Sequence, residues 1–365
     1  MIEVCRSHFY KIILGLVCAL TLWQLLVLQN VQERVFIANF QYNISNIVNH
    51  FSSEKVSNSF SLPKETRSAG GVNFSSFWEP SNLYLRNETE FGNSSYDLCP
   101  ETPINLDGHI TVLKTSPTLE ELESHITNLM PGGRFKPFHC KARHKVAIVV
   151  PYRDRKQHLA VFLQHLHPFL QKQELDYGIY VVEQIGKSLF NRAMLMNIGA
   201  AEALRQYDYQ CFIFHDVDLL PEDDRNIYSC PEMPRHMSVA VDVFDYKLPY
   251  QGLFGGVSAM NRSHFEKVNG FSNMFWGWGG EDDDMSNRIR YKKLLISRYP
   301  ANIARYVMLS HSKAKPNPSR FRVMKNGAKR AQVDGLKNLR YKRVKIQFMK
   351  LCTWISVDIS PKERS

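Results

Sequence analysis

The chain has 365 residues, 44% of them hydrophobic and 22% charged, which excludes a disordered polypeptide and suffices for one large globular domain with appendages or two modest ones. Its net charge of +11, from 46 Lys and Arg against 35 Asp and Glu, arises largely in a basic stretch over 313–350. In a nuclear or cytosolic protein that stretch would suit nucleic acid. The N-terminal features place it behind a membrane, so no nucleic-acid partner is expected and it reads as a solvated basic face, or as an aid in drawing in an anionic donor.

In chain order, the first element is an apolar run at 12–28, broken only by Gly15, Thr21 and Gln24. It is slightly short for a helix of about 20 spanning residues, and its neighbours extend it. No small-residue cleavage pattern follows, so an uncleaved signal anchor is expected at 12–30 in place of a removed signal peptide. Arg6 and Lys11 precede it and Glu33 with Arg34 follow, which leaves 1–11 as a cytosolic tail and everything downstream luminal. Sequons at Asn43, Asn73, Asn87 and Asn93 crowd a polar stretch that lacks sustained periodicity, as expected of a luminal stem over 31–95. A fifth sequon is Asn261-Arg262-Ser263. Of seven cysteines, Cys5 and Cys18 lie in the tail and span. The others, Cys99, Cys140, Cys211, Cys230 and Cys352, allow two bridges with one thiol left over in an oxidising lumen, and Cys211 with Cys230 bracket a short acidic segment as the most natural pair.

Strand and helix patterns alternate from Lys145 onward. Residues 146–150 form a β-branched apolar run ending at Pro151, as expected of a strand buried on both faces. Helical spacing follows in Leu159, Phe162, Leu163, Leu166 and Phe169. A strand at 179–182, a helix carrying Met194, Ile198, Ala201 and Leu204, and a strand at 211–214 come next, with further strands at 238–241 and 306–308. The alternation predicts a doubly wound α/β domain whose ligands sit beyond the carboxyl ends of the strands, bringing residues 151–155 and 215–218 into one crevice.

Four signals in this frame carry chemistry. Asp216 and Asp218 follow a buried strand, where two carboxylates can face a divalent cation and its diphosphate, although an exposed acidic turn has the same pattern. Met308 and His311 follow a later strand. They read either as a buried thioether and a surface imidazole or, joined to Asp218, as a mixed ligand set better suited to Mn²⁺ than to Mg²⁺. Arg153, Arg155 and Arg192, with Phe190 and Asn191, offer phosphate and base contacts or plain surface charge. Finally, Trp-Gly-Trp-Gly-Gly-Glu-Asp-Asp-Asp at 276–284 sets two indoles and three close-approach glycines beside four carboxylates that repel one another. The acids alone fit the first turn of a helix continuing through 285–291, whereas the whole string suits a polyhydroxylated substrate beside an acid or base.

Phe-Asn-Arg-Ala at 190–193, Asp-Val-Asp at 216–218, Phe-Gly-Gly-Val-Ser-Ala at 254–259, the string at 276–284 and Met308-x-x-His311 occur in the order found in the β-1,4-galactosyltransferase family, which the chain resembles over roughly 99–358. The resemblance implies a GT-A-type nucleotide-sugar-binding domain at 96–365 with a mixed, mostly parallel sheet, in a Golgi type II membrane enzyme that inverts the anomeric centre and uses Mn²⁺. It pairs Cys99 with Cys140 and Cys211 with Cys230. Asp218, Met308 and His311 look like the metal ligands. Pro151, Tyr152, Arg153, Arg155, Phe190, Asn191, Arg192, Asp216 and Val217, with Asp218 and His311, resemble the UDP-sugar set, over which Trp278 closes. Tyr250, Gly280, Glu281, Asp282, Asp283, Arg320 and Phe321 fall where the acceptor N-acetylglucosamine is held, and Asp282 matches the general base.

Two positions depart from the galactose-transferring pattern. Leu253 stands where those relatives usually carry Tyr beside the donor sugar's C2 substituent, so the lost hydroxyl and added apolar room imply that UDP-GalNAc is used at least as well as UDP-Gal. Relatives of invertebrate type with Leu or Ile there resemble N-acetylgalactosaminyltransferases. Val243 stands where many have Lys, which removes a phosphate-side contact. The expected reaction is β-1,4 transfer of GalNAc, or Gal, to a GlcNAc-terminated glycan of glycoprotein or glycolipid at the Golgi membrane, with a homodimer left open. The alternatives are a strict galactosyltransferase and a luminal glycan-binding protein without turnover.

Overall fold

The computed structural model describes residues 96–312 and 314–361. The expected tail, anchor and stem therefore lie outside the described residues, and among those described no helix is long and apolar enough to cross a membrane.

In chain order the elements are α1 (Leu119–His125), β1 (Arg134–Phe135), β2 (Lys145–Tyr152), α2 (Lys156–Lys172), β3 (Asp176–Ile185), α3 (Arg192–Leu204), β4 (Cys211–His215), β5 (Leu219–Pro221), β6 (Arg235–His236), β7 (Ala240–Val241), β8 (Val257–Asn261), α4 (Arg262–Lys267), α5 (Glu281–Tyr291), β9 (Arg305–Met308), α6 (Arg320–Lys325), α7 (Gly327–Arg330), β10 (Lys342–Phe348) and β11 (Thr353–Asp358). The main sheet runs β10-β11-β3-β2-β4-β8-β6, with β1 paired to β3, and a smaller sheet runs β5-β9-β7. Within the main sheet β11-β3, β3-β2 and β2-β4 pair in parallel, while the β10-β11, β4-β8, β6-β8 and β1-β3 pairings are antiparallel. The sheet is thus mixed, with parallel pairing confined to its four central strands. That corrects the expected mostly parallel sheet, because β10 is joined to β11 by a short antiparallel return, and β8 comes back antiparallel to β4 after the long excursion through β5, β6 and β7, not through a helical crossover.

The central strands are covered on both faces, which is why β2 reads as a continuous apolar run. Val146, Ile148 and Val150 point into one cluster with Leu159, Phe162 and Leu166 of α2. Ala147 and Val149 point the other way, into a cluster with Leu195, Ile198 and Ala203 of α3. Each such large side chain, fully buried, stabilises the fold by about 1.5–3 kcal/mol. Gly199 lets α3 approach closely, since a Cβ there would lie 2.3 Å from Val149 Cγ1. The expected strands at 238–241 and 306–308 shrink to β7 and become β9, and both belong to the small sheet.

The basic stretch ends in β10, and the chain then turns back as β11. β10 is an exposed edge strand, as a solvated basic face requires, whereas β11 is mostly buried and joins β3. Cys99–Cys140 and Cys211–Cys230 are bridged and Cys352 is a buried free thiol.

Candidate active site

The parallel strands β2, β3 and β4 end at one edge of the sheet, at Tyr152, Ile185 and His215, and β8 begins at that edge because Val257 pairs with His215. Four segments of the sequence converge there: 151–155, 190–192, 216–218 and 250–256.

The Asp-x-Asp pair splits. Asp218 Oδ2 lies 2.9 Å from His311 Nε2. Leu219 pairs with Met308 across β5 and β9, and Leu309 N donates to Asp218 O at 2.7 Å, so the small sheet fixes Met308 beside Asp218. His311 Nδ1 is 2.9 Å from Ser312 O, which leaves Nε2 as the nitrogen facing Asp218. Met308 N also donates to Asp242 Oδ1 at 2.9 Å. Octahedral bonds of about 2.1 Å put neighbouring donors about 3 Å apart, so the Asp218–His311 spacing fits two adjacent ligands of one cation, with the thioether as a softer third. Asp216 turns the other way and accepts from Arg192 Nε at 2.6 Å. Burial raises both aspartates above the ordinary carboxylate range. Arg192 opposes this at Asp216 and His311 opposes it at Asp218, where Arg155 adds its charge. His215, expected in the crevice, is fully buried and bonds Tyr228 behind it.

Arg192 is the electrostatic hinge of the site. Besides Asp216, it reaches Glu281 Oε1 at 3.4 Å and donates to Gly256 O at 3.2 Å, so one guanidinium joins Asp216 to the acidic string. Asn191 does not face the crevice. It is fully buried, its Oδ1 caps α3 by accepting from Met194 N at 2.9 Å, and its Nδ2 donates to Asn273 O. Its service is to start the helix on which Arg192 sits. Arg153 stacks over Phe190 at 5.0 Å and donates to Ser188 O at 2.8 Å, while Pro151, Tyr152 and Val217 are buried walls.

The acidic string serves as helix start and as site at once. Gly277, Gly279 and Gly280 have φ of 78°, 100° and 94°, a region that disfavours side chains, and α5 begins directly after them. Glu281, Asp282 and Asp283 are half-buried in its first turn, where the helix dipole favours negative charge. Asp284, the fourth acid, leaves the site: it is fully buried and accepts from Arg288 Nε at 2.7 Å. Tyr250 donates to Asp283 Oδ1 at 2.8 Å. Trp278 is 57% exposed, and its backbone bridges to Pro316 and receives Asn317 N at 3.0 Å. Arg320 lies over the ring of its exposed neighbour Phe321 at 4.4 Å, and its Cδ would be 3.2 Å from a Cβ on Gly279. The indole and this Arg-Phe pair thus flank the acids on the open side.

Asp282 rests on Gly255, where an added Cβ would lie 2.6 Å from Asp282 Oδ2. Gly255 in turn is held from behind: its carbonyl accepts from Ser238 Oγ at 3.2 Å and lies 3.1 Å from His236 Nε2. Burial, then Arg298, pushes His236 down to about 3, so the ring is neutral and its Nδ1 accepts from Arg298 Nε at 3.2 Å. Arg298 also donates to Leu253 O at 2.9 Å and Gln251 O at 2.8 Å, fixing the loop that presents Leu253. Gly255 lies in the Phe-Gly-Gly motif, which does not give its role, and nothing local in the sequence marks Ser238, His236 or Arg298, because each acts through a partner far along the chain. Gly255→Ala is expected to displace the Asp282 carboxylate while the fold persists. A misplacement of about 1 Å costs on the order of 10²-fold in turnover. Steady-state kinetics beside an unchanged circular-dichroism spectrum checks this.

Burial, then the Asp282 charge, raises Glu281 to about 7, with Arg192 opposing. The unfolded chain releases that proton near 4.5, so between these pH values the folded chain binds more protons, and Glu281 destabilises the fold progressively as pH rises through the window. Melting temperatures from pH 4.5 to 7.5 are expected to fall less steeply, or rise more, in Glu281→Gln than in wild type. Parallel curves would contradict this.

Two family models match the chain: the N-terminal region of glycosyl transferase group 7 over residues 99–231 and the N-terminal domain of galactosyltransferase over 235–312. Mouse (Mus musculus) beta-1,4-galactosyltransferase 1 is 47% identical over 275 residues, which is 74% of this chain and 69% of that one. Rat (Rattus norvegicus) beta-1,4-galactosyltransferase 4 is 42% identical over 286 residues, 76% of this chain and 83% of that one. Among solved structures, the catalytic domain of Drosophila beta1,4galactosyltransferase 7 in complex with xylobiose superposes with a TM-score of 0.52 at 31% identity, covering 60% of this chain and 95% of that one. A mutant of that enzyme in complex with manganese, UDP-Gal and xylobiose gives 0.51 at 30% identity, with the same coverage.

Proposed function

The chain belongs to the β-1,4-galactosyltransferase family and is a UDP-sugar glycosyltransferase, and on that premise we propose that it transfers GalNAc from UDP-GalNAc, in β-1,4 linkage and with inversion, to terminal GlcNAc of glycoprotein or glycolipid glycans. The observation that carries the donor assignment is Leu253. It is half-buried, its carbonyl is fixed by Arg298, and it stands two residues before Gly255, the glycine that backs Asp282. A leucine so placed offers no hydroxyl to a donor's C2 substituent and leaves apolar room for an acetamido methyl. The second reading, a strict galactosyltransferase, is favoured by the names of the relatives and by the UDP-Gal held by the Drosophila structure.

Asp218, His311 and Met308 would hold Mn²⁺, which the Drosophila structure contains, and when bound there it supplies positive charge against the charge growing on the leaving diphosphate. The remaining work falls to side chains. Arg153 and Arg155 draw the diphosphate to the end of β2, and Phe190 presents a flat face under Arg153. Glu281, Asp283 and Tyr250 accept and donate to acceptor hydroxyls, with Arg320 and Phe321 beyond them. Asp282 takes the proton from the acceptor's O4 as that oxygen attacks the donor's C1 from the face opposite UDP. Burial, then Asp283, raises its carboxyl above the ordinary range, which strengthens it as a base. Trp278, on its glycine-flanked loop, covers the donor and excludes water that would otherwise hydrolyse it.

The two disulfides fit an oxidising compartment. Together with the anchor expected at 12–30 they support a single-pass type II Golgi membrane protein with residues 96–365 luminal. A donor comparison tests the central assignment: wild type is expected to use UDP-GalNAc at least as well as UDP-Gal with GlcNAc as acceptor, and Leu253→Tyr is expected to shift the ratio of kcat/KM values toward UDP-Gal by about tenfold or more, on the order of one apolar contact exchanged for an obstructing hydroxyl.

A further inference from the structure

We propose that Asn261 carries an N-linked glycan, a modification that rests on the luminal placement given above. The residue ends β8 and is the N-cap of α4, with Oδ1 accepting from His264 N at 2.8 Å and from Ser263 Oγ at 2.9 Å. Both hydrogen bonds fall on the oxygen. No described residue accepts from Nδ2, and that nitrogen is not sealed from solvent. The hydroxyl that completes the Asn-x-Ser sequon therefore already touches the amide to be modified, while the amide nitrogen is left without an acceptor among the described residues. Asp208, Gln210, Ser263 and Lys267 around it are exposed and polar, a surface on which a glycan displaces no packing.

The attachment leaves the local fold intact. A bond forms between Nδ2 and C1 of an oligosaccharide carried on a lipid diphosphate, the C1–oxygen bond to that diphosphate breaks, and Nδ2 gives up one proton. The product is still an amide whose Oδ1 can cap α4. It also leaves the active site open. Asn261 pairs with Cys211 at the start of β4, whereas Val257, four residues earlier, pairs with His215 next to Asp216. At about 3.3 Å per residue the glycan is rooted about 13 Å along the strand from the catalytic edge, at the opposite end of the sheet.

The test uses the full-length chain expressed in a eukaryotic secretory pathway and digested with peptide-N-glycosidase. With Asn43, Asn73, Asn87 and Asn93 all changed to Gln, the chain is expected still to shift by one glycan and to yield a peptide with Asp in place of Asn261. Adding Ser263→Ala, which removes the sequon but keeps the capping oxygen, is expected to abolish the shift without loss of transferase activity, and Ser263→Thr is expected to retain it. A shift in the wild type that vanishes entirely in the fourfold stem variant would overturn the glycan at Asn261 and leave the luminal placement standing. No shift in the wild type would overturn the luminal placement and the glycan with it.

Discussion

Asp282→Asn is expected to lower kcat by about 10²–10⁴-fold while UDP and Mn²⁺ still bind, because loss of a positioned general base removes that much. The substitution keeps the shape of the side chain and its place on Gly255, so α5 and the neighbouring Glu281 and Asp283 stay where they are. What disappears is the group able to accept the acceptor's proton. Measured kcat with saturating donor and acceptor, beside calorimetric UDP affinity, separates chemistry from binding. A variant within about tenfold of wild type would assign the base to another carboxylate, Glu281 and Asp283 being its two neighbours in the chain.

Asp218→Ala and His311→Ala are each expected to weaken Mn²⁺ affinity by more than about 100-fold, since losing even an outer-shell partner of a ligand costs 10–100-fold. Turnover at moderate Mn²⁺ falls with it and recovers only partly at high Mn²⁺. Asp216→Ala is expected to behave differently, because Asp216 is bound by Arg192 and not by His311. That variant frees the guanidinium that also reaches Glu281 and Gly256, so it should lower turnover with little change in metal affinity. Manganese titration by electron paramagnetic resonance, run beside the kinetics, distinguishes the two behaviours. Equal metal affinity in Asp216 and Asp218 variants would undo the division of labour between the two aspartates.

The parts of this molecule written in local pattern were legible before folding. β2 and β4 announce themselves as apolar runs because both faces are covered, and α2 and α3 by helical spacing that fills one cluster each. The acidic string was legible twice over, as helix start and as site, and α5 shows that these are one arrangement: its first turn presents three acids to the crevice and turns the fourth, Asp284, inward to Arg288. What escaped was everything fixed by distant pairing. β11 follows the basic stretch and is not among the expected strands, and its register against β3 is what makes it sheet. Asn191 looks like a ligand contact from its motif, yet a cap bond to Met194 and burial behind Asn273 take up its side chain. The Arg298–His236–Gly255 relay joins positions up to 62 residues apart, so no window of sequence could reveal it.

The most direct measurement is a comparison of kcat/KM for UDP-GalNAc and UDP-Gal, with free GlcNAc as acceptor and Mn²⁺ present, in wild type and Leu253→Tyr. GalNAc transfer at least equal to Gal transfer in wild type, reversed in favour of Gal by the tyrosine, is the expected result. A strong Gal preference in wild type, or the same donor ratio in both proteins, would contradict the role given to Leu253 and leave a galactosyltransferase.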